Sequence, residues 1–139
     1  MDPRERCEHF LASLAGRLGL PELPLGPEDG FVLRLGSHLA EIAYNEEMEE
    51  LASLIRIAPL PGETGSGERQ AALSSLLRGA YAGIGAGGGI LSLDEDGQVC
   101  LARRYALSGG EGAFIEHFAG QICLADFWLD ALEHRRNLP

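Results

Sequence analysis

The order of hydrophobic patterns along the chain constrains its fold more than any local motif does. A stripe with helical spacing comes first, followed by three short strand-like runs, a second helix, two further strands and a last helix. Five short strands in runs of three and two can form one sheet covered by helices. The sequence therefore predicts a single α+β domain over residues 1–139, with the order α-β-β-β-α-β-β-α and a twisted, mainly antiparallel five-stranded sheet packed by helices.

Capping residues and glycines set the limits of the predicted helices. An Asp-Pro pair beginning at Asp2 opens the first helix, and we expect Gly19 to end it. The second helix is predicted over residues 68–84. Ser108 and Glu111 stand at capping-box spacing, which predicts the start of the last helix there.

Alternating apolar residues and turn signals predict five strands. The Asp-Gly pair at 96–97 indicates a hairpin between the last two of them. The strands are expected at residues 31–35, 39–44, 51–58, 90–93 and 99–107.

Composition narrows the classes of function. The formal net charge is −10, and all 11 basic residues are arginine. This balance argues against nucleic acid and against an anionic membrane surface as partners, because both attract clustered positive charge. No apolar run is long enough for membrane insertion, and the charged start of the chain predicts no signal peptide. Three scattered cysteines indicate a reducing, cytoplasmic setting.

Motifs that carry chemistry are incomplete. Residues 83–88 match G-x-G-x-x-G, but a dinucleotide-binding loop follows a strand and opens a helix, whereas this segment follows a predicted helix. Cys7 and His9 are two residues apart on a helix, which directs their side chains about 200° apart and prevents a nucleophile–base pair. We therefore expect a binding protein and not an enzyme, with no catalytic residue, no metal and no cofactor.

Three segments carry a resemblance to a known family. They are the apolar stripe of residues 10–20, the strand pair of residues 91–101, and the last helix with Phe114, Phe118 and Trp128. With the order of elements, they resemble the class I type III secretion chaperones, the Tir-chaperone (CesT-type) family. The resemblance implies a bacterial cytoplasmic homodimer that binds, without ATP, the N-terminal segment of a secreted effector and keeps it soluble and secretion-competent.

The resemblance, with the alternation of apolar residues, predicts two surfaces. Arg34 and Arg56 either pair with acidic groups of the client or are solvated. The residues expected to bind the client are Leu14, Leu18, Val32, Arg34, Ile42, Tyr44 and Leu54. The residues expected at a two-fold interface are Leu73, Leu76, Leu77, Tyr81, Leu91 and Leu93.

Two other interpretations stay open from the sequence. The first is a regulatory binding protein of the same fold that sequesters an antiactivator. The second is a small enzyme with an unrecognised site, which a deep polar pocket with a strongly perturbed carboxylate or histidine would favour.

Overall fold

The predicted order of elements is confirmed in a computed structural model, which describes residues 2–23, 25, 29–82 and 89–134. Of residues 80–82 and 134, the backbone alone is described. The helices are α1 (Pro3–Leu18), α2 (Gly67–Ala82) and α3 (Gly110–His134). The strands are β1 (Gly30–Leu35), β2 (His38–Asn45), β3 (Glu50–Pro59), β4 (Ile90–Leu93) and β5 (Gln98–Ala106).

The five strands form one sheet in the order β1-β2-β3-β5-β4, and each neighbouring pair is antiparallel. Strand β5 lies between β3 and β4, so β4 lies at one edge of the sheet and β1 at the other. The register between β3 and β5 shifts between Arg56 and Ala58, which marks a β-bulge. The structure thus confirms the predicted fold class and adds the strand order.

Both predicted ends of α1 are confirmed. The Asp2 carboxylate accepts a hydrogen bond from the Glu5 backbone N–H at 2.8 Å. Gly19 adopts a left-handed conformation with φ 69°, and its N–H closes the helix on the carbonyls of Ala15 and Gly16. The start of α3 differs from the prediction, because Ser108 lies within a short 3-10 turn that precedes Gly110.

The predicted hairpin between β4 and β5 is also confirmed. Gly97 has φ 78°, which a residue without Cβ adopts at no steric cost. The Asp94 carboxylate accepts hydrogen bonds from the backbone N–H groups of Asp96 at 2.9 Å and Gln98 at 3.0 Å. These bonds, the one from Gln98 above all, lower the pKa of Asp94.

The three helices contribute to one apolar core on one face of the sheet, which we call the covered face. Strand β2 alternates strictly between buried and exposed residues, with Ala40 and Ile42 buried beneath the helices. Helix α3 contributes Trp128, which is fully buried. The opposite side of the sheet, here the open face, carries exposed or half-buried side chains, including Val32, Arg34, Leu39, Glu41 and Leu54.

Candidate binding surfaces

A long apolar groove of about 340 Å³ lies where the end of α1, strand β1 and helix α3 meet. Leu18 and Leu20, at the end of α1, remain 41% and 37% exposed along one side. Strand β1 contributes its covered-face residues, and α3 contributes the other wall. The aliphatic side chains that line the groove are Leu18, Leu20, Leu33, Leu35, Ile115 and Ile122.

Aromatic rings form the floor of the groove. The rings of Phe114 and Phe118 stack with their centroids 5.3 Å apart. Tyr105 of β5 meets Phe114 edge-on, with a centroid distance of 4.9 Å. All three residues are buried, so the floor is an extension of the core. Packed rings have few alternative rotamers, and the groove is therefore preformed.

A buried glutamine fixes α3 above the sheet at this floor. The Gln121 side-chain oxygen accepts a hydrogen bond from the Tyr105 hydroxyl at 2.6 Å. Its amide donates to the backbone carbonyls of Leu101 at 3.0 Å and Ser53 at 3.3 Å. Burial raises the pKa of Tyr105, so this hydroxyl remains a donor at neutral pH.

Strand β1 provides one border of the groove and one edge of the sheet. Within the described residues it pairs with β2 on one side and has no strand partner on the other. The backbone groups along that free edge are therefore available to a further strand. The first residue of β2 is tied to α3, because Nε2 of His38 and Oδ1 of Asp126 lie 2.6 Å apart. One end of the groove is thus held in place by this contact, next to the strand edge of β1 that has no partner among the described residues.

The residues predicted to bind a client fall in three places. Leu18 lines the groove. The buried residues Leu14, Ile42 and Tyr44 belong to the core, so their side chains are not accessible at the surface of this chain. The others, Val32, Arg34 and Leu54, lie on the open face. The structure therefore does not bring the seven residues together on one surface.

Sequence reasoning missed most of the groove. Leu20 follows the predicted end of α1, and alternation places Leu33 and Leu35 on one face of β1 without showing where that face points. Ile115 and Ile122 extend the apolar arc of α3 beyond its buried stripe. That width was the available signal, since a helix packed on one side alone needs a narrower stripe.

The two arginines singled out from the sequence differ in their surroundings. Arg56 lies between two carboxylates, paired with Glu41 and, at 3.2 Å, with Asp94. The hydrogen bond to Glu41 raises the pKa of Arg56. Arg34 is exposed on β1 and forms no ion pair with the described residues. Of the two, Arg34 has the charge available for a partner.

Helix α2 has a buried side and an apolar exposed side. Leu76 is 4% exposed and packs in the core, and Leu91 of β4 is also buried. Close approach to α3 requires glycine at position 79, because a Cβ there would lie 2.9 Å from the Trp128 ring.

The exposed side of α2 carries two leucines of the predicted interface. Leu73 is 37% and Leu77 60% exposed, and they are one helical turn apart. Leu93 of β4 is 38% exposed. The side chain of Tyr81 lies outside the described residues. We call Leu73, Leu77 and Leu93 the α2 surface.

Two motifs singled out for possible chemistry are the Cys7 and His9 pair and the glycines of residues 83–88. Cys7 is buried, which raises the pKa of its thiol to about 11, whereas His9 is exposed. The glycine motif at 83–88 lies outside the described residues. Among the residues that the structure describes, no three His, Cys, Asp or Glu side chains gather as metal ligands, and no helix is long and apolar enough to cross a membrane.

Solved structures share this fold. The chain aligns with the ExsC–ExsE complex at a TM-score of 0.76 and 24% identity, covering 95% of this chain and 97% of that chain. The HopA1–SchA chaperone–effector complex aligns at a TM-score of 0.74 and 16% identity, over 91% and 94% of the two chains. The Yersinia pestis type III secretion chaperone SycH, solved with a fragment of YscM2, aligns at 0.67 and 18% identity, over 86% and 97%.

The family follows from the sequence comparison and not from these structural matches, whose low identities show the fold alone. No curated protein matches the chain in sequence. The model of the Tir chaperone protein (CesT) family matches residues 9–130, which is most of the chain. The protein is therefore a member of the Tir chaperone (CesT) family, as the resemblance of its sequence predicted.

Proposed function

We propose that this protein is an ATP-independent type III secretion chaperone of the bacterial cytoplasm. It binds the N-terminal segment of a cognate effector and keeps that effector soluble and secretion-competent. The observation that carries the proposal is the preformed apolar groove beside the free edge of β1. Family membership supports the same function, and so do the chaperone–effector complexes among the similar folds.

The geometry favours a client in an extended conformation. A client strand beside β1 forms backbone hydrogen bonds with the free edge, which bind many sequences equally well. Alternate side chains of that strand enter the groove next to Leu33 and Leu35. Such binding covers apolar client residues that would otherwise aggregate. It needs no nucleotide, no metal and no catalytic residue.

The α2 surface is our proposal for a homodimer contact. Leu73, Leu77 and Leu93 are exposed apolar side chains away from the groove. A two-fold contact places each residue of such a patch against the same patch of a second copy. Stable interfaces of this kind bury about 800 Å² per partner. A dimer would then present two grooves to one or two client segments.

The experiment is co-expression with each secreted protein encoded beside this gene, followed by affinity purification and light scattering. We expect one such protein to become soluble in a complex that contains two copies of this chain. Deletion of the client's N-terminal segment should abolish the complex. If every neighbouring secreted protein is equally soluble without this chain, the proposal is wrong.

Two variants locate the binding site in that experiment. Leu20→Asp places a charge in the groove and is expected to weaken client binding at least about tenfold, since a desolvated charge costs more than 1.4 kcal/mol. Leu77→Asp carries the same change on the α2 surface and should leave the groove intact. Equal loss of the client with both variants would argue against the groove as its binding site.

A further inference from the structure

The free edge of β1 presents two different rows of side chains to an added strand. Phe31, Leu33 and Leu35 point to the covered face, and Val32 and Arg34 point to the open face. An added strand alternates in the same way, so its residues beside Leu33 and Leu35 enter the groove. The residues between them lie beside Val32 and Arg34. The groove therefore selects every second client residue, and the open face contacts the others.

Arg34 differs from the other arginines on this side of the molecule. It forms no hydrogen bond or ion pair with any residue that the structure describes. Its cross-strand neighbour is Leu39, which offers no charge. Glu41, opposite Val32, is engaged by Arg56. Arg56 and Arg104, exposed on the open face of β3 and β5, both have carboxylate partners.

An unpaired cation at this position is notable in a chain of net charge −10. Acids outnumber bases by 21 to 11, yet none of the described acids lies within ion-pair distance of Arg34. An extended client strand would place one outward-facing residue directly beside the guanidinium, at the cross-strand distance where opposite charges attract. Arginine also binds carboxylates with two parallel hydrogen bonds, which favours Asp or Glu there.

We propose that Arg34 is a specificity-determining residue that selects an acidic side chain in the client segment. The proposal rests on the proposed function, and it names the chemistry of the partner. The preferred segment has aliphatic residues at alternate positions, which fill the groove, and Asp or Glu at the intervening position that faces Arg34. The other intervening position lies beside Val32 and carries no charge requirement.

The order of the residues around the acid differs between the two possible directions of the client strand. In an antiparallel strand, the residue beside Leu35 comes before the acid, and the residues beside Leu33 and Val32 follow it. In a parallel strand this order is reversed, so the acid comes after the residue beside Val32. A selected sequence therefore identifies the charge that Arg34 binds, and the orientation of the segment follows once the register of the peptide along β1 is known.

The test is selection from a phage-displayed peptide library in which Val, Ile or Leu at every second position alternates with random residues. We expect the wild-type protein to enrich Asp or Glu at one intervening position. Arg34→Glu should replace this preference with Arg or Lys. Arg104→Glu is the matched control, because it makes the same charge change on the open face of β5, away from the edge. It should select the wild-type pattern.

Binding of single peptides then gives the size of the effect. Exchange of the selected acid for its amide should weaken binding to the wild type about two- to fivefold, as expected for one exposed ion pair. The same exchange should change binding to Arg34→Glu in the opposite direction or not at all. If the acid matters equally to both proteins, Arg34 does not select it and the proposal is wrong.

The groove variant Leu20→Asp separates this proposal from the proposed function. One outcome would overturn the role of Arg34 and leave the groove in place. In that outcome the wild type enriches peptides that Leu20→Asp does not, but the wild type and Arg34→Glu select the same intervening residues. If no peptide distinguishes the wild type from Leu20→Asp, the groove does not bind extended segments, and both proposals fail.

Discussion

The apolar groove and the α2 surface both expose leucines, but their construction differs. The groove is concave, takes its walls from three elements and ends at a free strand edge. The α2 surface has Leu73 and Leu77 on one turn of a helix, directly above the buried residues Ala72 and Leu76. A concave apolar surface with unpaired backbone groups suits an extended segment, whereas a helical stripe suits a second rigid surface.

The difference shows that exposed apolar area alone does not identify the partner. Leu18 at 41% and Leu73 at 37% are exposed to nearly the same extent. What separates them is the neighbouring structure, an aromatic floor and a strand edge for Leu18 and a helix packed on Trp128 for Leu73. The predictions below test this difference, in order of decreasing effect on stability.

The largest effect is expected from a charge on the buried side of α2. Leu76→Asp places a carboxylate in the core and should lower the free energy of unfolding by about 3–5 kcal/mol. Leu77→Asp, one residue further, places the same group in water and should leave the protomer folded but unable to dimerise. Urea denaturation followed by the fluorescence of Trp128 gives the first result, and light scattering gives the second.

This pair of variants also corrects an expectation from the sequence. Leu76 was expected at the two-fold interface, but its burial within the protomer makes unfolding the expected result of Leu76→Asp. If Leu76→Asp unfolds at the same urea concentration as Leu77→Asp, α2 is not packed as described. A dimeric Leu77→Asp would show that the α2 surface is not the interface.

Removal of the polar contact beneath the groove should have the next largest effect. Gln121→Ala leaves the Tyr105 hydroxyl and two backbone carbonyls without their partner. We expect the free energy of unfolding to fall by about 2–3 kcal/mol, the cost of buried groups left unsatisfied. Glu116→Ala, on the exposed side of the same helix, is the control and should change it by less than about 0.5 kcal/mol. If Gln121→Ala and Glu116→Ala lower the free energy of unfolding equally, Gln121 does not fix α3 above the sheet at the floor of the groove.

The stability of the protein at alkaline pH tests the burial of Cys7 on α1. Burial raises the pKa of Cys7 from 9.0 to about 11, so the unfolded chain loses this proton at a lower pH than the folded chain. The contribution of the buried, protonated Cys7 thiol to the free energy of unfolding is therefore complete below pH 9 and is lost as pH rises towards 11. We expect the wild type to lose about 1 kcal/mol more than Cys7→Ala between pH 9 and pH 10. If the free energies of unfolding of the wild type and Cys7→Ala change in parallel with pH, the raised pKa assigned to Cys7 is wrong.

The smallest effect on stability is expected from modification of the groove itself. Cys123 lines the groove and is exposed, whereas Cys7 and Cys100 are buried. At pH 8, a chromogenic disulfide reagent should react with Cys123 first and with the other two thiols on unfolding. A bulky maleimide on Cys123 should block the client, leave the dimer intact and change the free energy of unfolding by less than about 0.5 kcal/mol.

Cys123→Ser is the control for that experiment. It should abolish the fast reaction and protect client binding from the maleimide. A bound client should in turn slow the labelling of Cys123 in the wild type. If the labelled protein binds its client with unchanged affinity, the client does not occupy the part of the groove next to α3.

Much of the fold could be predicted because its signals are local. Asp2 and Gly19 limit α1 through hydrogen bonds to residues within four positions in the chain. Asp94 and Gly97 form the β4–β5 turn in the same way. Alternation then assigned the two faces of β1, and the family pattern predicted how the elements combine. The order β1-β2-β3-β5-β4 depends on long-range pairing, which periodicity does not encode.

The candidate groove was harder to predict than the fold. Val32 and Ile42 were both expected to bind the client, but they lie on opposite faces of the sheet. Alternation separates two faces without showing which one the helices cover. Leu33 and Leu76 illustrate the same limit, because one lines a groove and the other belongs to the core although both sit on apolar stripes.

The sequence by itself determined the secondary structure, the acidic character and the family of this protein, because capping, alternation and composition act between near neighbours or on the whole chain. Tertiary structure decided which apolar residues remain accessible. Leu14 is buried in the core, whereas Leu18, one turn later on the same helix, is exposed at the border of a groove. Exposure depends on what packs from elsewhere in the chain, and the binding surfaces therefore become visible only in the folded molecule.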